Sequence, residues 1–441
     1  MKTKPAKVNI IGAGLAGCEA AYQLSKRGVA VVLYEMKPEK MSPAHHEASF
    51  AEIVCSNSMK SEDMGTASGA LKAELDILDC LTLRIARETR VAAGSALAVD
   101  RKLFSARMTE EIKKLANVEI VSREVTHIDT EVPTIIATGP LTSDGLSQEI
   151  ASLLGDKSLY FFDASAPIVE ASSIDMSKAF TSGRYGKGES DYINCPMDRD
   201  EYYAFVRELK SAERVPLKDF ENTAVFEGCM PVEVMASRGD DTLRFGPLRP
   251  VGLVDANGKR PFAVVQLRRE NTESELWGIV GFQTNLTFGE QKRVFSMIPA
   301  LSNAEFVKYG VMHRNTYINS PKHLNADFSM KAHPFVFFAG QIAGVEGYVE
   351  SIASGLLCGI NMARKLEGKP SFVPDTTTIV GGLMHHISSA TENFQPMNAN
   401  FGILQPLDEI IRDKSQKKLA YSKRAVDNIT KQKGEQLNQD V

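Results

Sequence analysis

Val8-Asn-Ile-Ile11-Gly12-Ala13-Gly14-Leu15-Ala16-Gly17 and, after Gly28, Val29-Ala-Val-Val-Leu-Tyr34-Glu35 decide the fold. Val8–Ile11 is a short apolar run of the kind that forms a buried strand. A helical pattern through Ala20, Ala21 and Leu24 follows, and Gly28 ends it. Val29–Tyr34 reads as a second buried strand, so the stretch is one βαβ unit, the opening of a parallel sheet. Between strand and helix the glycines match G-x-G-x-x-G. Gly12 permits the tight turn, Gly14 lets the backbone approach a pyrophosphate, and Gly17 lets the helix pack close on the strand. The helix N-terminus offers free N–H groups to that pyrophosphate. Alone the motif is a weak signal; the flanking strand and helix, and Glu35 at the end of the second strand, supply its context. Glu35 can accept hydrogen bonds from an adenosine ribose and disfavours a 2′-phosphate, so FAD or NAD fits better than NADP.

Two later segments favour FAD. Ile135-Ile-Ala-Thr-Gly139 resembles the strand that two-dinucleotide flavoproteins place near their FAD. Phe337-Phe-Ala-Gly340-Gln341 resembles their late strand-to-helix junction, with Gln341 where an Asp is usual. No second complete glycine motif follows, which argues against a dedicated NAD(P)H domain. Val118–Val121 and Thr134–Ala137 read as further strands, residues 42–66 as a long polar loop, and Ser68 to Glu88 as one helix. Near residue 155 the pattern becomes β-rich, with a helix around Arg199–Lys210. The expected fold class is α/β. A Rossmann-type FAD-binding domain is built from 1–155 and 330–441, carrying an inserted, β-rich α/β substrate domain at 156–329 and ending in a basic helical tail.

With 43% hydrophobic and 24% charged residues, the chain is ordinary for a globular protein. No apolar run reaches the roughly 20 residues that span a bilayer, and no cleavable leader precedes the glycine motif, so the cytoplasm is the expected compartment. Six cysteines without a C-x-x-C pair form neither a disulfide framework nor a zinc pattern. The net charge of −4 counts against a wholly basic nucleic-acid binder but not against a local patch. Arg412, Lys414, Lys417, Lys418, Lys423, Arg424, Lys431 and Lys433 face only Asp413 and Asp427. That run reads first as a solvated helix face and second as a phosphate-binding surface, as does the Arg84, Arg87, Arg90 stripe.

More specific are Pro43-Ala-His45-His46, Val54-Cys55-Ser-Asn57-Ser, Ala96-Leu-Ala-Val-Asp100-Arg101, Asn194-Cys195-Pro-Met197 and Phe226-Glu-Gly-Cys229-Met-Pro-Val-Glu233-Val-Met-Ala. Leu243-Arg-Phe-Gly-Pro247, Val280-Gly-Phe-Gln-Thr284, Met312-His-Arg-Asn-Thr316 and Gly340-Gln-Ile-Ala-Gly-Val-Glu346-Gly-Tyr348-Val-Glu350 continue the series. In these segments the chain resembles the folate- and FAD-dependent tRNA uracil-5-methyltransferases, the TrmFO family, relatives of the MnmG/GidA flavoproteins. The resemblance implies an enzyme with three small-molecule requirements. The methylene of 5,10-methylenetetrahydrofolate passes by way of reduced FAD to C5 of the T-loop uridine of tRNA, giving 5-methyluridine, and NAD(P)H restores the reduced flavin.

Uracil C5 is a poor nucleophile, so this chemistry calls for a thiolate that adds at C6 and a second group that removes the C5 proton. Composition alone reads Cys229, in the Phe226–Pro231 turn, as a small buried hydrophobe; the resemblance makes it the C6 nucleophile. Cys55, in a polar loop that is an unusual home for a structural thiol, becomes the acid/base partner, and the two roles are exchangeable. Cys18 and Cys358 are expected in the core and Cys195 is left structural. His45 and His46 are read as hydrogen-bonding groups of a flavin loop rather than metal ligands. Tyr348 is a candidate for stacking on the folate pterin, with an ordinary core tyrosine as the alternative. Gly12, Ala13, Gly14, Leu15, Ala16, Gly17, Glu35, Gly139, Gly340 and Gln341 are the expected cofactor-binding set. Competing readings are the same chemistry on a ribosomal RNA uridine, a wobble-uridine enzyme like MnmG, a small-molecule FAD oxidoreductase and a non-catalytic FAD-bound scaffold.

Overall fold

β1 (Val8–Ile11), α1 (Leu15–Lys26) and β2 (Val31–Glu35) form the expected unit in a computed structural model. It describes residues 7–156, 159–186, 191–216, 230–255, 258–389 and 394–437. β1 lies at the centre of a five-stranded parallel sheet. β2 and then Val118–Ser122 flank it on one side, Thr134–Ile136 and then Val336–Phe338 on the other. The strand at 336 thus completes a sheet whose other members precede residue 137, because the chain leaves after the helix Asp144–Leu154 and later returns.

Two close approaches fix the glycine turn. Gly12 has φ +100°, and a Cβ on it would lie 2.7 Å from the Ala137 carbonyl oxygen. A Cβ on Gly17 would lie 1.8 Å from the Gly12 oxygen. The helix Tyr348–Leu366 then crosses α1 with backbones in contact; a Cβ on Gly355 would sit 2.2 Å from the Ala16 oxygen. Its first residue, Tyr348, is thereby held near the turn.

Strands Leu159–Ala164 and Met312–Tyr317 pair antiparallel and lead to a six-stranded antiparallel sheet with a core of its own. Its order is Phe180–Thr181, Tyr192–Met197, Ala263–Arg269, Leu276–Ile279, Ile168–Glu170, Phe306–Lys308. Strand alternation sorts its two faces. Cys195, Val265 and Leu267 pack with Tyr202, Phe205 and Leu209 of the helix Arg199–Ser211. Gln266 and Arg268 point the other way, Gln266 to Asn194 and Arg268 to Ser56 and Asn57.

The expected single helix from Ser68 to Glu88 is two, Ala67–Ile77 and Leu81–Glu88. Asp79 breaks it with φ 61°. The buried Glu19 carboxylate caps the second helix, accepting from the Thr82 N–H at 2.9 Å and hydroxyl at 2.7 Å. The polar loop holds a short strand, Ser58–Ser61, paired with Ala96–Val99. No helix among the described residues is long and apolar enough to cross a membrane.

Candidate active site

A cavity of about 460 Å³ runs along the C-terminal ends of the parallel strands, an ordinary size for a ligand pocket. Gly12 to Ala16, Glu35, Gly139, Gly340, Gln341, Cys55 and Tyr348 all line it. Gly17 does not; it lies behind, packed on Gly12. Glu35 is tied across the turn: Oε2 accepts from the Ala13 N–H at 2.8 Å and Oε1 from the Lys37 N–H at 3.0 Å. A Cβ on Gly14 or on Gly139 would meet nothing within 4 Å. Open space over a glycine turn at a helix N-terminus is the cradle that a pyrophosphate requires, so these residues fit a dinucleotide. Farther along, the Gln341 amide donates to Glu346 at 2.5 Å, and the Gly340 N–H donates to the Ser354 hydroxyl at 2.6 Å.

Cys55 stands where this cavity meets a smaller one of about 110 Å³, lined also by Ser56, Arg101, Arg268, Glu270 and Gln283. Its backbone is held by two segments of the cofactor domain that are far apart in sequence. The Cys55 N–H donates to the Tyr348 hydroxyl at 3.0 Å, and its carbonyl accepts from Arg101 at 2.9 Å. Arg101 also donates to the Ile53 carbonyl at 2.8 Å and pairs with Glu270 at 2.6 Å. The thiol itself donates towards the Ala164 carbonyl at 3.8 Å. Arg101, Arg268 and Lys308 all lie close enough to feel charge on Cys55. Burial, with the Arg101 charge adding to it, holds the Lys308 ammonium below its ordinary value. Cations around a half-buried sulfur are the surroundings that stabilise negative charge on it.

The other described thiols are different. Cys18, Cys80, Cys195 and Cys358 are buried, and burial pushes each up, Cys195 to about 12. Cys229 lies outside the described residues. Its neighbours on the C-terminal side are described: Met230 is buried, and the Val232 N–H donates at 2.7 Å to the carbonyl of Gln283, which lines both cavities. His45 lines the large cavity with Nδ1 at 2.5 Å from the Ser42 hydroxyl, whereas the His46 N–H donates to Glu52. The arginine stripe is taken up in ion pairs, Arg87 with Asp76 and Glu62, Arg90 with Glu62, while Arg84 lies over the Tyr22 ring.

Sequence reasoning assigned no role to Arg101, Arg268 or Lys308. A cation alternating with Val265 and Leu267 in a strand was the available signal for Arg268, since a charge so placed faces something other than the core. Lys308 had no local signal; it becomes part of the site only because its strand ends beside Val54, whose carbonyl its ammonium approaches to 3.5 Å.

Comparison with known proteins agrees with this architecture. The family model described as glucose inhibited division protein A matches residues 7–370. Two solved structures of GidA from Aquifex aeolicus superpose with TM-scores of 0.70 and 0.69 at 17% and 16% identity. They cover 97% and 98% of this chain, and the chain covers 73% and 76% of theirs, a likeness of fold. A protein of Acetivibrio thermocellus named methylenetetrahydrofolate--tRNA-(uracil-5-)-methyltransferase TrmFO is 55% identical over 421 residues, 95% of this chain and 97% of its own. One of the same name from Anoxybacillus flavithermus is 55% identical over 425 residues, 96% of this chain and 98% of its own. Identity at that level over nearly the whole length, on a GidA-like fold, means that the chain belongs to the TrmFO family, within the wider family of glucose inhibited division protein A.

Proposed function

We propose that the chain is a cytoplasmic, FAD-dependent methylenetetrahydrofolate--tRNA-(uracil-5-)-methyltransferase that makes 5-methyluridine at the T-loop uridine of tRNA, with NAD(P)H as reductant. The observation that carries this reading is the position of Cys55, a half-buried thiol among cations, between a cavity that fits a dinucleotide and a second cavity facing the inserted domain. Gly12 to Ala16, Glu35 and Gly139 would hold the adenosine and pyrophosphate, Gly340 and Gln341 the ribityl side. Gly17 lets the helix approach. When bound, FAD supplies the relay for the folate methylene and the electrons that reduce it to methyl.

The chain's own part is to make uracil nucleophilic and then release it. The Cys229 sulfur adds to C6, the C5–C6 π electrons become an enolate, and C5 forms the new carbon–carbon bond. Cys55 takes the C5 proton, and the C6–S bond breaks as the ring double bond re-forms. Tyr348 would stack on the pterin, and its hydroxyl accepts from the Cys55 N–H. Residues 156–329 would serve as the substrate domain and 1–155 with 330–441 as the cofactor domain.

The test is turnover of the purified protein with unmodified tRNA, methylenetetrahydrofolate and NAD(P)H, followed by base analysis. Label from the folate methylene should appear in 5-methyluridine at the T loop. Methylation supported by S-adenosylmethionine alone, or modification of ribosomal RNA but not tRNA, would overturn the assignment.

A further inference from the structure

Beside the Cys55 pocket the inserted domain carries a run of aromatic rings that leads from its core to its surface. Phe295 is fully buried and lies 6.5 Å from Phe306, centroid to centroid. Phe306 stacks on Tyr309 at 5.5 Å and 9°, and Tyr309 on Phe288 at 4.9 Å and 16°. Phe288 ends the series at the start of the helix Phe288–Phe295 and is 53% exposed. No ring among the described residues stacks on its other face, the next plane of the column. Lys292, one turn along the same helix face, is exposed, with no ion pair among the described residues. Arg293 beside it is occupied by Glu290 and Glu208.

The column is tied to the pocket on both sides of Tyr309. Lys308 reaches the Val54 carbonyl next to Cys55. Gly310 is clamped by Gln291, which donates to its carbonyl and accepts from its N–H, each at 2.8 Å, and the Val311 N–H donates to the Ser165 hydroxyl, a cavity wall, at 3.0 Å. A flat, half-exposed ring with an exposed cation one turn away, unpaired among the described residues, matches the chemistry of an unstacked nucleotide: a base to stack and a phosphate to neutralise. A protein partner would not need parallel ring planes beside an exposed lysine.

We infer that Phe288, backed by Tyr309 and Phe306 and flanked by Lys292, is a stacking platform for an unstacked RNA base adjacent to the uridine under modification. The inference rests on the RNA-modifying reading above. It places one anchor of the substrate loop on the inserted domain, with the target base turned towards Cys55 and its neighbour held outside.

Binding of unmodified tRNA to wild type, F288A, F288W and K292Q holoproteins tests it, with FAD content as the check on folding. F288A should weaken affinity about tenfold and F288W should restore it, since stacking needs a ring and not a particular one. K292Q should lower the salt dependence by about one phosphate contact. In tRNA carrying 2-aminopurine at the position flanking the target uridine, fluorescence should be quenched on binding to wild type and F288W, and not to F288A. If wild type binds tRNA, and FAD-loaded F288A matches it in affinity and quenching, the platform is wrong and the RNA reading stands. If wild type itself does not bind unmodified tRNA, the RNA reading fails and takes the platform with it.

Discussion

A Cβ on Gly14 would enter the cavity and touch nothing, whereas one on Gly12 or Gly17 would strike backbone. Gly14→Val should therefore fold and lose its FAD: a colourless protein with the circular dichroism of its parent. Stoichiometric flavin in that variant would remove the cavity from consideration as the cofactor site. The thiols divide in the same way, by what surrounds them. Iodoacetamide on the native holoprotein should alkylate Cys55 and leave Cys18, Cys80, Cys195 and Cys358 until unfolding, because burial disfavours their thiolates. Peptide mapping that found Cys18 or Cys195 labelled first would contradict the described packing. With 5-fluorouridine in the target RNA, fluorine replaces the proton that must leave C5, so a covalent protein–RNA complex should accumulate, mapped to Cys229. Cys229→Ala should abolish adduct and turnover with FAD retained; Cys55→Ala should abolish turnover and still form adducts. A bond on Cys55 would exchange the two roles. Cys55, which lines both cavities, stood out in the sequence because a polar loop is an unusual home for a structural thiol. For Arg268 the alternation in its strand shows only that it faces away from the core, and Lys308 is an unremarkable cation, until strands more than two hundred residues downstream of Cys55 bring both against its loop.

The parallel strands and α1 were legible because buried strands are continuous apolar runs and the helix between them has glycines at its start and end. The helix that split at Asp79 was not. Its apolar spacing continues through the break; Asp79, in the left-handed region, ends the first half, and the cap that starts the second is Glu19, contributed by α1. A cap supplied from another element leaves no local trace. Glu74 does the same service elsewhere. From the helix Ala67–Ile77 its two oxygens accept the Ile379 N–H at 2.6 Å and the Val380 N–H at 2.8 Å, the first donors of the helix Ile379–Ser388. Burial raises this carboxyl from 4.5 to about 8 against the pull of those two donors. The folded protein then holds a proton that the unfolded chain releases, so the stability linked to Glu74 is full below about 4.5 and is lost as the pH rises through about 8. Glu74→Gln, which turns one acceptor into a donor facing an N–H, should cost about 1–3 kcal/mol near pH 5. That deficit should shrink towards pH 8. Denaturant titrations across this range would show it; a deficit that stays constant with pH would mean that the carboxyl is ionised throughout.

At the scale of the whole molecule, the cavity is lined by residues of both the parallel-sheet domain and the inserted domain, and the C-terminal helix Lys414–Gln436 is a candidate surface for the RNA. One side of this helix is spent on packing. Tyr421, Ser422, Ala425 and Ile429 are buried, and the Ser422 hydroxyl donates to the Met64 carbonyl at 2.6 Å. Two of its cations are spent as well. Arg424 donates to the Pro406 carbonyl at 2.8 Å and to that of Gln405, and Lys433 donates to the Ile77 carbonyl at 2.6 Å. Lys414, Lys417, Lys418 and Lys423 remain exposed. The basic run seen in the sequence is therefore two populations, one holding the helix to the cofactor domain and one facing water. Each phosphate contact releases a counterion, contributing about 0.7–0.9 to the slope of log affinity against log salt. Replacing Lys417, Lys418 and Lys423 together by Gln, with Arg424 kept, should weaken tRNA binding at low salt and flatten that slope by about two to three if all three meet phosphates. The loss should be equal for tRNAs of different sequence, since phosphate contacts carry no base information. Replacing Arg424 instead should lower thermal stability with little change in slope. A triple variant whose affinity and slope match the parent's would leave these lysines as a solvated face and place the whole electrostatic contribution on the inserted domain.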